Sequence, residues 1–176
     1  MLKKKLGVEA VEMDWPDEVE ELKDYYKVPT TLIIPPGCER IGVCAFWECM
    51  ELKRVIIPKG VEEIGYKAFF KCTELEEVEI PEGVRDIGKS AFEKCRILKE
   101  VEIPESVEVI SQFAFWGCEK ATIILKNSGK DFKIIGRDAF LNCKDVKDGA
   151  GIFRKIRKTL EIWWKDILKK VSRSRD

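Results

Sequence analysis

The sequence predicts an α/β repeat solenoid: five units of about 23 residues, each giving one short strand to a parallel ladder and one short helical turn, closed at both ends by a helix. Three observations carry this. Pro35, Pro58, Pro81 and Pro104 lie 23 residues apart, and Cys49, Cys72, Cys95 and Cys118 keep the same interval, with Cys143 following after 25. Between them recurs an Ile-Gly-x-x-Ala-Phe core: Ile41-Gly42 with Ala45-Phe46, Ile64-Gly65 with Ala68-Phe69, Ile87-Gly88 with Ala91-Phe92, and Ile135-Gly136 with Ala139-Phe140. The fourth unit has Ile110 and Ala114-Phe115 but Ser111 where the others have glycine, so glycine is preferred there and not obligatory. Ahead of the prolines stand alternating runs such as Leu52-Lys53-Arg54-Val55-Ile56-Ile57-Pro58 and Leu98-Lys99-Glu100-Val101-Glu102-Ile103-Pro104.

Taken along the chain, residues 1–29 read as an N-terminal cap. Asp14 stands as an N-cap, Pro16 in the first turn, Asp17 and Glu18 early and Lys23 and Lys27 late, the placement that complements the charges of helix ends. Val19, Leu22, Tyr25 and Tyr26 form one apolar face. Residues 30–148 carry the five repeats. Alternation with β-branched residues gives each strand, and proline stops it by having no donor for the ladder. A second inward pair, Val61 with Ile64 or Val84 with Ile87, turns the chain back toward Ala-Phe, where there is room only for a turn of helix. One unit cannot bury its own apolar side, but identical strands stacked about 4.8 Å apart can. Residues 149–176 read as a C-terminal amphipathic capping helix. Ile152, Phe153, Ile156, Leu160, Trp163, Trp164, Ile167, Leu168 and Val171 share one broad helical arc, with Ile162 outside it.

The unit Ile-Pro-x-x-Val-x-x-Ile-Gly-x-x-Ala-Phe-x-x-Cys-x-x-Leu closely resembles the BspA-type, or Treponema-type, leucine-rich repeat over residues 30–148. The resemblance implies a right-handed solenoid of leucine-rich repeats used for protein binding or adhesion, typically on secreted or cell-surface proteins of host-associated bacteria and some protists.

Composition narrows the chemistry. The 176 residues carry 32 basic and 32 acidic side chains, seven cysteines and no histidine. Without an imidazole, Ser-His-Asp and Cys-His nucleophiles, histidine zinc sites and histidine switches are all excluded. No phosphate loop, nucleophile elbow or dinucleotide fingerprint occurs, and the expectation is a chain with no catalytic residue, cofactor or metal. Cys38, Cys44 and Cys49 offer three thiols, but their spacing matches no zinc ribbon or knuckle. The five periodic cysteines are expected in the core, Cys38 as a substitute for the valine of later repeats, and Cys44 alone toward the surface. No stretch reaches the roughly 20 apolar residues of a membrane span, and Met1 to Gly7 is basic without an apolar signal core. A cytoplasmic location is therefore expected, with the cell surface as the alternative that the resemblance implies.

Two outward rows suggest a docking face. The first reads Thr31, Arg54, Glu77, Glu100, Thr122, and the second Ile33, Ile56, Glu79, Glu102, Ile124 if the last repeat has lost one residue. Glu77, Glu79, Glu100 and Glu102 thus cluster between apolar flanks, with no cation between them. They read either as a solvated acidic face or as a surface for a protein with a basic patch. A further stripe, Trp47, Phe70, Glu93, Trp116, Leu141, reads as half-buried packing or an exposed aromatic ridge. Residues 150–176 hold nine basic and three acidic side chains, net +6, so residues 152–171 offer a possible membrane-surface helix, with a nucleic-acid patch the weaker reading. The function expected is a non-catalytic, intracellular protein-binding module docking through its strand face. The alternatives are a membrane-surface or cell-surface adhesin using the basic C-terminal helix, and a small inhibitor that blocks a large host or phage enzyme.

Overall fold

The computed structural model describes residues 30–126 and 132–148. Both expected terminal caps lie outside the described residues. Strands β1 (Thr31–Ile33), β3 (Arg54–Ile56), β5 (Glu77–Glu79), β7 (Glu100–Ile103), β9 (Thr122–Leu125) and β11 (Asp145–Asp148) line one side of the stack. Strands β2 (Arg40–Ile41), β4 (Glu63–Ile64), β6 (Asp86–Ile87) and β8 (Val109–Ile110), each following a proline turn, and β10 (Ile134–Ile135), which follows none, line another. All pairings are parallel, as a coil that returns to the same point every repeat requires. The even strands make one continuous five-stranded sheet, whereas the odd strands fall into two three-stranded sheets, β1-β3-β5 and β7-β9-β11.

The Ala-Phe segments are not helical turns; among the described residues the only regular elements are strands. Their backbone bonding shows why. Ala45, Trp47 and Cys49 donate their N–H groups to Gly42, Cys44 and Phe46 within the coil, while Cys44, Phe46 and Glu48 donate to the carbonyls of Tyr66, Ala68 and Phe70 in the next coil. The alternation recurs in the next coil, where Lys67, Phe69 and Lys71 reach Lys89, Ala91 and Glu93. An α-helix would turn every one of these donors inward and leave the coils unlinked on this side. The alternation needs left-handed residues at regular intervals, and Cys44, Glu48, Lys67, Lys71, Ser90, Lys94, Phe113, Asp138 and Asn142 all have φ between 53° and 66°. Each such non-glycine residue costs about 1–2 kcal/mol, which the inter-coil bonds and the core must offset.

The core is a set of columns running up the stack. Phe46, Phe69, Phe92 and Phe115 stack ring on ring at centroid separations of 5.2, 5.2 and 5.1 Å, with Phe140 a further 6.0 Å on. Beside them the Sγ atoms of Cys72, Cys95, Cys118 and Cys143 donate to the carbonyls of Phe46, Phe69, Phe92 and Phe115 at 3.1–3.2 Å. The repeated cysteine is therefore a small side chain carrying one donor, placed where an extra carbonyl lone pair would otherwise go unmet. Burial pushes the thiols of Cys95 and Cys118 well above their ordinary value and keeps them inert. The expectation for this column holds for Cys49, Cys72, Cys95 and Cys118, whereas Cys143 is only half-buried. Cys38 is also half-buried, packed against the core edge, with its thiol raised mainly by desolvation. The glycine column answers to close stacking: a Cβ on Gly88 would stand 2.7 Å from the backbone carbon of Gly65, while one on Gly42 would meet open space.

Candidate functional site: the outward strand face

The ladder register brings the sequence-predicted rows together. Thr31, Arg54 and Glu77 are successive partners, as are Ile33, Ile56 and Glu79. On the second sheet Glu100 faces Thr122 and Glu102 faces Ile124, so the row does lose one residue at this step, and it runs on to Asp145 and Lys147. The alternation does this: Val55, Val78, Val101 and Ile123 point into the core, which leaves their neighbours outside. Glu77, Glu79, Glu100 and Glu102 are exposed, and Ile33, Ile56 and Ile124 are half-buried flanks.

Two features of the face were not legible as spacing. First, cations do reach the acidic cluster. Arg54 lies 3.4 Å from Glu77 and 3.0 Å from Glu79, bridging both rows from the strand before, and Lys126 lies 2.8 Å from Glu102. Beside the rows, Lys99 meets Glu76 at 2.6 Å, which holds that carboxyl below its usual range. Among the described residues Glu100 has no cation partner. These pairs are exposed and screened by solvent, so they orient side chains more than they stabilise the fold. Second, strand pairing lapses between β5 and β7, the step at which a glutamate faces a glutamate in both rows. At β3–β5 the outward pairs are Arg54–Glu77 and Ile56–Glu79, and at β7–β9 they are Glu100–Thr122 and Glu102–Ile124, so like charges meet across one step alone. Adjacent like charges oppose close pairing.

The stripe on the turn side divides. Trp47 is 41% exposed and Trp116 half-buried, but Phe70 is 8% exposed and belongs to the packed surface, not to an open ridge. Phe70 is covered by cations: Lys67 Nζ stands 4.8 Å and Lys71 Nζ 5.2 Å from its ring centroid, as Lys94 Nζ stands 5.1 Å from that of Trp116. A hydrogen bond with Tyr66 raises the Lys67 ammonium above its ordinary value. Sequence reasoning missed these lysines because each sits at a left-handed position, which aims it along the stripe. The Cys38, Cys44 and Cys49 thiols form no metal-binding group, and the described residues contain no cluster of metal-ligating side chains.

Residues 18–147 match the family profile described as the BspA type leucine rich repeat region, in six copies, where the Ala-Phe motif recurs five times and the strand side has six rungs among the described residues. Among solved structures, a leucine-rich repeat protein from Eubacterium ventriosum is 23% identical with a TM-score of 0.55, covering 68% of this chain and 32% of that one. The T. pallidum leucine-rich repeat protein is 23% identical with a TM-score of 0.48, over 73% of this chain and 69% of its own length. A leucine-rich repeat protein from Bacteroides ovatus is 27% identical with a TM-score of 0.44, over 69% and 38%. This chain thus spans about a third of the length of the Eubacterium protein, and at that identity the likeness is one of fold. No curated protein matches it.

Proposed function

The chain belongs to the BspA-type leucine-rich repeat family, whose members are generally protein-interaction modules and non-enzymatic scaffolds, and from that premise we propose that it docks a partner protein through its outward strand face without performing chemistry. The observation that carries the reading is the acidic centre where β5 meets β7. Four exposed carboxylates gather there, the backbone ladder lapses, and Glu100 has no cation among the described residues. A basic side chain from a partner would relieve that repulsion. Ile33, Ile56 and Ile124 would supply apolar area at the flanks, while the charge sets orientation and on-rate. A reducing cytoplasm suits the same reading, since all seven cysteines are thiols and none is joined in a disulfide.

The test is a paired capture experiment with the full chain and its Glu79→Lys/Glu102→Lys variant as baits. A partner of this face is held by the first and weakened about tenfold or more in the second, with an affinity that falls as salt rises. Retention of the same partner at equal affinity by both baits removes the strand face from consideration.

A further inference from the structure

The turn side carries a charge pattern opposite to that of the strand side. Segments 66–71 and 89–94, which stack as neighbouring coils, hold Lys67, Lys71, Lys89 and Lys94 against one carboxylate, Glu93. Lysine is a strained choice at three of these places. Lys67, Lys71 and Lys94 have φ of 53°, 56° and 63°, and the column of Lys71 and Lys94 continues into Gly117 and Asn142, residues that such a backbone favours. The neighbouring rings show what the lysines gain. Lys67 and Lys71 both stand over Phe70, Lys67 also lies 5.2 Å from the Tyr66 centroid, and Lys94 covers Trp116. A side chain laid on a ring has lost much of its freedom before any ligand arrives, so its ammonium is presented at a set place. Lys71 also meets Glu48 at 3.1 Å, whereas Lys67 and Lys94 enter no ion pair among the described residues, and Glu93 acts on Lys67 only at longer range.

We propose that this stripe holds an acidic polypeptide segment of a partner protein, with carboxylates on Lys67, Lys89 and Lys94 and apolar side chains on Trp47 and Tyr66. Trp47 and Tyr66 are exposed beside the lysines and, with the exposed Val43 and Met50, give apolar area toward the first coil. Two observations favour polypeptide over nucleic acid, the other polyanion that lysines among rings would fit. Phe70 is buried, and ammonium groups stand over it and over Trp116, where a base would have to stack. Glu48 and Glu93 lie within the stripe, and a continuous phosphate backbone would have to pass them, whereas a polypeptide can place an uncharged residue there. The inference stands apart from the strand-face reading, because it concerns another side of the coil and a partner of opposite charge.

The test is fluorescence anisotropy of a short labelled peptide of glutamate and leucine against the full chain, with its glutamine counterpart and oligothymidine for comparison. The wild-type chain should bind the acidic peptide in preference to both, and Lys67→Gly/Lys94→Gly should weaken that binding about tenfold or more. Glycine suits both left-handed positions, so this variant should resist denaturant at least as well as the wild type, and Lys67→Asn/Lys94→Asn repeats the test if glycine loosens the coil. Lys53→Gln/Lys99→Gln, which removes the same charge from the strand side, should bind as the wild type does. Failure of the wild-type chain to bind the acidic peptide overturns the proposal, as does equal affinity in the glycine variant or an equal loss in the strand-side variant. Tighter binding of oligothymidine that the glycine variant loses reassigns the stripe to nucleic acid. Dimers in sedimentation that the glycine variant lacks would assign it instead to the acidic strand face of a second copy.

Discussion

The strand side and the turn side of each coil solve the same problem with different tolerance. On the strand side any side chain fits outside, because alternation alone holds the backbone extended, and the ladder accommodates arginine, isoleucine, threonine or glutamate. The cost appears only between strands, where two glutamate pairs coincide with a lapse in pairing. On the turn side the inter-coil bonds run through every described step, from Phe46 to Ala68, Phe69 to Ala91, Phe92 to Ala114 and Phe115 to Ala139. That continuity is held by left-handed residues and close backbone approach, which restrict what a side chain can be. Freedom of sequence therefore lies on the strand face, where a partner can be selected, and constraint lies on the turns.

The largest break in this comparison should come from Gly88→Ala. Its Cβ would press on the backbone of Gly65 and on the Ile64 carbonyl oxygen at 2.8 Å, so a loss of about 1–3 kcal/mol is expected in chemical denaturation. Gly42→Ala, with nothing within 4 Å, should change stability by less than about 0.5 kcal/mol. Equal losses at both sites would mean that stacking does not explain the column. A smaller effect of opposite sign is expected at Ser90, which is 3% exposed at φ 59° with no hydrogen bond to its hydroxyl among the described residues. Ser90→Gly removes the left-handed cost and a buried hydroxyl, and should stabilise by about 1 kcal/mol in the same assay. The smallest effect belongs to the strand face. Glu100→Lys replaces a like-charge neighbour of Glu77 by an opposite one, and should raise stability by a few tenths of a kcal/mol and slow amide exchange at Val78 and Val101. Unchanged exchange there would detach the lapse in pairing from the charges that face each other across it.

Much of this was written in the linear pattern. Proline, cysteine and Ile-Gly intervals gave the repeat, and the one-residue loss before Ile124 could be read because Ile123 and Leu125 had to stay inward. The left-handed turns were harder to see. Gly117 and Asn142 share a column with Glu48, Lys71 and Lys94, and glycine or asparagine is the residue that signals positive φ. Lysine and glutamate in the same column hid the signal, and Ala-Phe read as a turn of helix. The burial of Phe70 was hidden for a related reason, since Trp47 and Leu141 occupy its column and are 41% and 50% exposed.

By itself the sequence determined the period, the inward columns and the membership of each outward row, because a repeat copies the same local preferences into every coil. What only the tertiary structure decided is how neighbouring coils meet. Whether an N–H bonds within its own coil or to the next, whether Arg54 spans Glu77 and Glu79, and whether a glycine has space all depend on atoms about 23 residues away. Those atoms come within reach only once the coils are stacked, and the energy of each contact is fixed by that spacing and not by the residue's own preference.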